Sequence, residues 1–320
     1  MPDSRMRSLP LAPSRGDQAP VRELVVVSGK GGTGKTSLLA SFAALARDAV
    51  LADCDVDAAD LHLVLGPRVE ERHVFSSGHD AVIRERDCTG CGDCVELCRF
   101  GAIAWAEDAL TPAIDPIACE GCGLCRHVCP TDAIDMEPVI NGAWMVSNTR
   151  FGPLVHARLG VAEDNSGKLV ALVRNEARAV AEERGLPLVI VDGSPGIGCP
   201  VISSLAGAHF VLVVTEPTVS GRHDLARVLQ VVRQFRLPFA VLVNKADLNV
   251  ALTGQISAEA ERAGAVFVRR LEYDPAVTRA QVRGVDLVTF GAPAATAVRE
   301  VWDEIERALA AQRQGDVRHA

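Results

Sequence analysis

The sequence predicts an α/β fold, a mostly parallel sheet with helices on both faces, carrying a small inserted α+β domain. Short apolar runs alternate with helical segments from Glu23 onward, the rhythm stops between about Pro67 and Arg150, and eight of the ten cysteines fall in that gap. ELVVVS (23–28) is an apolar run ending in glycines, as a buried parallel strand should be. Thr36 to Arg47 is Ala/Leu-rich and reads as a helix, and AVLADCD (49–55) reads as the second strand. Beyond the gap, LPLVIVDG (186–193), HFVLVVTEP (209–217) and PFAVLVNKAD (238–247) are three more buried-strand runs. Segments 168–184, 221–235, 252–263 and 294–311 alternate with them and carry helical periodicity, which means βαβ units. The expected organisation is a disordered lead-in (1–21), a discontinuous α/β domain (22–66 and 150–312), an insert (67–149) with its cysteine module at about 80–138, and a flexible tail (313–320).

Composition narrows the function. The 320 residues carry 33 Lys plus Arg against 41 Asp plus Glu, a formal net charge of −8, which argues against a dedicated nucleic-acid binder with its basic face. No apolar run approaches the roughly 18 residues of a membrane span, and the first twenty residues lack the apolar core of an export signal. A cytoplasmic location is therefore expected, with cysteines that serve as ligands instead of disulfides. Only four of the basic residues are lysines, Lys30, Lys35, Lys168 and Lys245, and three of these fall in motifs.

The first motif is Gly29-Lys30-Gly31-Gly32-Thr33-Gly34-Lys35-Thr36, followed by Ser37, which satisfies G-x-x-x-x-G-K-S/T between a strand and a helix. Glycines let backbone N–H groups curl around phosphate oxygens while the helix N-terminus adds a favourable dipole. Lys35 is expected to reach the β- and γ-phosphates and the Thr36 hydroxyl to ligate Mg²⁺, which makes the α/β domain a P-loop NTPase.

The second motif is Cys88-x₂-Cys91-x₂-Cys94-x₃-Cys98, repeated as Cys119-x₂-Cys122-x₂-Cys125-x₃-Cys129-Pro130. This is the bacterial ferredoxin run, twice, in which the fourth cysteine of each run ligates the other cluster. Cys88, Cys91, Cys94 and Cys129 are thus assigned to one [4Fe–4S] cluster, and Cys98, Cys119, Cys122 and Cys125 to the other. Zinc sites pair two C-x₂-C units, a different spacing. Ala102-Ile103 and Ala133-Ile134 follow the two runs and supply a matching apolar contact, while Arg99 stands where a proline is usual. Cys54 and Cys199 lie outside the set and are read as inert buried thiols.

Lys30, ahead of the glycines, gives K-G-G-T-G-K-T, which resembles the deviant Walker A motif of the MinD, ParA and nitrogenase-iron-protein group of ATPases. With the cysteine insert, the chain from about 22 to 311 resembles MinD-superfamily ATPases carrying an inserted ferredoxin domain. Other stretches supporting the resemblance are Thr149 to Ala157, Glu163 to Lys168 and Thr215 to Thr218. The resemblance implies a nucleotide-dependent homodimer in which Lys30 crosses to the partner's nucleotide. It further implies that Asp55 positions the attacking water, that Asp192 in VIVDGSPGIG holds Mg²⁺ through water, and that Asn244 of Asn244-Lys245-Ala246-Asp247 contacts the base. ATP is the expected nucleotide and GTP the alternative. Asp57 and Asp60 read as solvated or helix-capping carboxylates, and Lys168 is left open between nucleotide, partner and surface.

Three functions compete at this level. The leading one couples ATP-driven dimer switching to electron transfer toward an unidentified redox or client protein, with hydrolysis slow alone and stimulated by a partner. The others are an Mrp-type iron–sulfur carrier or scaffold, and a positioning or recruitment ATPase. The terminal helix mixes acidic with basic residues, so no stable membrane anchor is expected, and packing through Val301, Ile305 and Leu309 is expected instead.

Overall fold

Strand β1 (Arg22–Ser28) is buried along its whole length because it lies mid-sheet, with helices on both sides. The computed structural model describes residues 20–56, 59–160 and 166–317, with no side-chain description for Ser166 or beyond Gln312. Residues 1–19 of the expected lead-in, Asp57, and Glu163 to Asn165 therefore lie outside the described residues. After β1 come α1 (Lys35–Leu45), β2 (Ala49–Asp53), α2 (Leu61–Leu65), β3 (Arg68–Ile83), α3 (Asp93–Leu97), β4 (Ile103–Ala104), β5 (Ala113–Ile114), α4 (Leu124–Val128), β6 (Ile134–Thr149) and β7 (Gly152–Leu159). The chain continues through α5 (Ser166–Arg184), β8 (Leu188–Pro195), α6 (Cys199–Leu205), β9 (Phe210–Thr215), α7 (Val219–Gln234), β10 (Phe239–Val243), α8 (Val250–Arg262), β11 (Val268–Arg270), α9 (Ala276–Val282), α10 (Leu287–Phe290) and α11 (Ala294–Val317).

The sheet order is β11-β10-β9-β1-β8-β2-β7-β6-β3, parallel from β11 to β7. Alternation along β1 divides two cores. Val25 and Val27 join Val173, Leu225 and Val228 of α5 and α7, whereas Leu24 and Val26 join Phe42 of α1 and Val301, Trp302 and Ile305 of α11. Val301, Ile305 and Leu309 are all buried, as their spacing predicts. None of the described helices is long and apolar enough to cross a membrane.

The insert is not hung on a loop. Its first and last segments, β3 and β6, are sixteen-residue strands that extend the main sheet: β6 pairs antiparallel with β7, and β3 antiparallel with β6. Past the main sheet this pair is a two-stranded ribbon with the cysteine module at its far end. Its base is tied to α5, where Arg184 donates to Glu70 Oε2 at 3.3 Å and Asn148 Nδ2 donates to Glu70 Oε1 at 3.2 Å. His73 and Trp144 stack across the ribbon with ring centroids 4.1 Å apart.

Candidate functional site

The carboxyl ends of β1, β2, β8 and β10 surround a cleft of about 690 Å³, in the size range of small-molecule sites. Its walls include Gly31, Gly32, Thr33, Gly34, Lys35, Thr36, Ser37, Asp55, Asn244 and Lys245. Gly32 and Gly34 adopt positive φ (79° and 90°), and a Cβ on Gly34 would lie 2.5 Å from Asn244 Nδ2. Asn244 Nδ2 in turn donates to Thr33 O at 2.8 Å, so Asn244 staples the later loop onto the phosphate loop. Asp247 does not line the cleft; its Oδ1 accepts from Tyr273 N at 2.6 Å and fixes the loop that brings Tyr273 to the cleft wall. Gln281 of α9 donates to Ser37 Oγ at 2.6 Å from the same side. Gln281 carries no motif signal; Tyr273 lies in Tyr273-Asp274-Pro275, where the MinD-type resemblance places a proline-led loop over the base but Leu271-Glu272 stand in the place of that proline.

Lys35 is buried, ion-paired to Asp192, with its ammonium 3.5 Å from Asp55 Oδ2. Burial pulls its pKa down, but Asp192 and Asp55 more than reverse this and leave it above the ordinary lysine value. Asp53 sits in register with Asp192 on β8 and His156 on β7. Burial, reinforced by the Asp192 charge, pushes the Asp53 carboxyl well above the usual carboxylate range. Its Oδ2 is buried without a hydrogen-bond partner among the described residues, while Oδ1 accepts from Asp55 N at 3.2 Å. Three carboxylates facing one ammonium, with an orphaned oxygen among them, form an environment that a divalent cation would balance. Thr36 lines this cleft, and Asp192 is buried at the end of β8, ion-paired to Lys35.

Lys30 points elsewhere. Its ammonium lies 2.7 Å from Glu216 Oε1 and donates to Thr218 Oγ1 and Ser220 Oγ at 3.2 and 3.3 Å. Lys245 Nζ lies 3.0 Å from the other Glu216 oxygen, so one carboxylate bridges two motif lysines. Burial raises the Glu216 pKa, and its bonds to Lys30 and Lys245 more than offset this, leaving it below the usual range. Gly29 serves packing: a Cβ there would lie 2.5 Å from Asp224 Cβ of α7. Lys168 is exposed on α5, and Asp60 lies on the cleft wall. Cys54 is buried as expected, but Cys199 is exposed; it opens α6 on the loop after β8, outside the core that encloses Cys54.

At the ribbon's far end the cysteines line two hollows. One is bounded by Cys88, Cys91, Cys94 and Cys129, the other by Cys98, Cys119, Cys122 and Cys125, the two sets that the spacing pairs. Ala102, Ile103, Ala133 and Ile134 are buried beside them. Gly92 and Gly123 turn the chain into α3 and α4 with φ of 85° and 72°, which wraps each cysteine loop around its hollow. Ala133 N donates to Cys129 Sγ at 3.2 Å; burial pushes this thiol up, and the bonds from Ala133 and Thr131 carry it below the ordinary thiol value. Burial raises Cys94 and Cys125. Soft sulfur donors, four to each hollow and backed by N–H groups, fit [4Fe–4S] clusters. Arg84 closes the module's neck, donating to Asp87 Oδ2 at 2.7 Å and also to Asp135 and the Asp132 carbonyl.

Fold and site together define a P-loop protein of MinD type bearing an inserted dicluster module. Residues 81–136 match the family described as 4Fe-4S dicluster domain. The chain is 34% identical over 238 residues to the uncharacterized protein MJ0578 of Methanocaldococcus jannaschii, covering 72% of this chain and 80% of that protein. It belongs to the same family as that protein, and within it carries the dicluster domain. Among solved structures it resembles the cell division ATPase MinD of Pyrococcus furiosus (TM-score 0.52, 18% identity, 89% of this chain and 98% of that one). It also resembles the septum site-determining protein MinD of Pyrococcus horikoshii, solved with Mg-ADP (TM-score 0.53, 16% identity, 92% and 98%). At such identities the likeness is one of fold.

Proposed function

We propose that this chain is a cytoplasmic ATPase that dimerises on ATP and uses its nucleotide state to govern electron transfer between two [4Fe–4S] clusters and a partner protein. The observation that carries this reading is the position of β7. It is hydrogen-bonded to β2, which ends in Asp53, and to β6, which runs on into the cysteine module. His156 of β7 is the register partner of Asp53 and has Nε2 2.8 Å from Ser147 Oγ of β6. A displacement at the end of β2 thus meets an ordered hydrogen-bonded path to the ribbon, in keeping with switches that amplify small shifts.

In this reading the phosphate-loop N–H groups and Lys35 bind the β- and γ-phosphates, and Asn244 holds the base loop against the phosphate loop. Thr36 and, through water, Asp192 would hold Mg²⁺, which would supply charge neutralisation at the phosphoryl group. Asp55, at the cleft wall, orients the attacking water, and Lys30 acts across the dimer on the partner's nucleotide as an additional cation. The eight cysteines hold the clusters, whose chemistry is one-electron transfer.

The test has two arms. Asp55→Asn is expected to slow ATP hydrolysis by at least about 100-fold while ATP binding persists. Cluster reduction potentials measured with ADP and with a non-hydrolysable ATP analogue are expected to differ; identical values would sink the coupling.

A further inference from the structure

The two hollows differ at their mouths. The first, around Cys88, the exposed Cys91, Cys94 and Cys129, is flanked by Ile83, Pro112 and Ile134, none of them exposed, and has one exposed aromatic, Trp105, beside Gly90 and Gly92. The second is ringed by Leu97, Phe100 and Leu124, which are 47%, 42% and 40% exposed, around the exposed Cys122. Large apolar side chains clustered at one opening and standing in water mark an interaction site, especially where charged residues surround them.

Charge indicates the occupant. Residues 81–136 contain ten Asp and Glu against four Arg. Arg84 is bound to Asp87 and Asp135, Arg86 Nε lies 3.7 Å from Asp87 and Arg126 Nε 3.9 Å from Asp132. Arg99 lies over the Phe100 ring, 5.6 Å from its centroid, with no carboxylate partner among the described residues. Glu120 lines the same hollow and Glu96 precedes Leu97; both are exposed. A second copy of this chain would present the same acidic module and be repelled.

We infer that the mouth of the second hollow is the docking surface for a one-electron redox protein with a positively charged rim, Leu97, Phe100 and Leu124 forming the dry centre. This rests on the reading that the hollows hold redox clusters. The chemistry is a single electron transfer: the cluster held by Cys98, Cys119, Cys122 and Cys125 is oxidised from [4Fe–4S]⁺ to [4Fe–4S]²⁺ and the docked cofactor is reduced by that electron. No atom or proton moves. Opposite charges steer the encounter, so it weakens with salt.

The test uses holoprotein, without nucleotide, and cytochrome c as a lysine-rimmed redox probe. Carbodiimide coupling, mapped by mass spectrometry, is expected to join probe lysines to Glu96 and Glu120. Stopped-flow reduction of cytochrome c by dithionite-reduced, desalted holoprotein is expected to slow at least tenfold at low salt in Glu96→Lys/Glu120→Lys and in Leu97→Ser/Phe100→Ser. Trp105→Ser/Glu107→Lys, on the first hollow's side, is expected to change it less than twofold. Crosslinks confined to Glu107, Asp108 or the α/β domain overturn the inference, as do unchanged rates in patch variants whose clusters remain visible by electron paramagnetic resonance. Self-association abolished by the serine variant would assign the patch to a second copy and also overturn it. The wild-type crosslink map decides even where a variant fails to load iron. Because no nucleotide is present, failure of ATP coupling would leave these results standing.

Discussion

The α/β body and the cysteine module reach order by different routes. The body encloses two apolar layers, one on each face of the sheet, and its central strands β1 and β9 are buried throughout. Among the described residues the module's apolar cluster is small, Ala81, Cys94, Ile103 and Ile134 with Ala102 and Ala133 buried nearby, and one of these, Cys94, lines a cysteine hollow. A segment of this size rarely holds itself together by burial alone, so ligation supplies what the core lacks. The cleft therefore rests on a scaffold expected to stand without cofactors, whereas the cluster site and its fold are expected to form together.

The largest expected effect follows directly. Anaerobic removal of iron with a chelator should accelerate amide hydrogen exchange across 84–133 by at least about 100-fold, with β1, β8 and β9 unchanged. Exchange that stays slow in the module, or a body that melts with it, would erase the contrast between the two regions.

A second perturbation should act on the body alone. Glu23 at the start of β1 is buried, ion-paired to Arg174 and accepting from Arg178 Nε at 2.7 Å; Arg174 also donates to Ser203 O at 2.7 Å and to Ala206 O at 2.5 Å beside α6. Glu23→Ala leaves a buried guanidinium uncompensated and is expected to cost about 3–5 kcal/mol in denaturant unfolding. Cluster absorbance should persist up to the shifted midpoint. Bleaching before the body unfolds would show that the two regions are not separable.

Legibility in the sequence follows the same division. Local motifs are the most legible part because their geometry is set by spacing: the phosphate loop falls between β1 and α1, and each set of four cysteines lines one hollow. Buried strands read well because both faces are apolar. β3 and β6 were not legible as sheet members, since burial along them is sparse and irregular and the register shifts between Phe75, Ser76 and His79. Partners distant in sequence carried no signal either. Glu216 meets Lys30 and Lys245, and Gln281 meets Ser37, only once the carboxyl ends of the strands converge. Cys199 differs from its expected burial because the general tendency of free cysteine to be buried does not hold for this residue, which opens a helix at the surface.

The junction between the two regions gives a smaller, pH-dependent effect. Burial, with His62 and Arg158 nearby, lowers the His156 pKa from 6.5 to about 4. The unfolded chain then binds a proton that the folded chain does not, so stability is complete above pH 6.5 and falls as pH drops toward 4. Allowing for partial solvent access, the loss is about 2 kcal/mol. His156→Asn should flatten this slope relative to wild type in far-ultraviolet thermal melts between pH 6.5 and 5. Parallel slopes would remove His156 as the titrating link.

The smallest effect probes the body's own surface at the phosphate loop. Glu216 holds Lys30 and Lys245 in one bridge, only partly screened from water. Bridges of this kind contribute about 0.2–1 kcal/mol, so Glu216→Gln should lower stability by less than about 1 kcal/mol. The informative readout is association. If the intrachain bridge competes with a Lys30 that must reach across a dimer, releasing it should strengthen dimerisation with a non-hydrolysable ATP analogue about 1.4- to fivefold for each Lys30 released, the same energy expressed as an equilibrium. Sedimentation at several protein concentrations measures it. Weaker association would mean that Glu216 shapes the loop for the dimer instead of restraining Lys30. In either case hydrogen exchange in the cysteine module should be unchanged, because the bridge lies on the loop after β9, remote from the strands that carry the clusters.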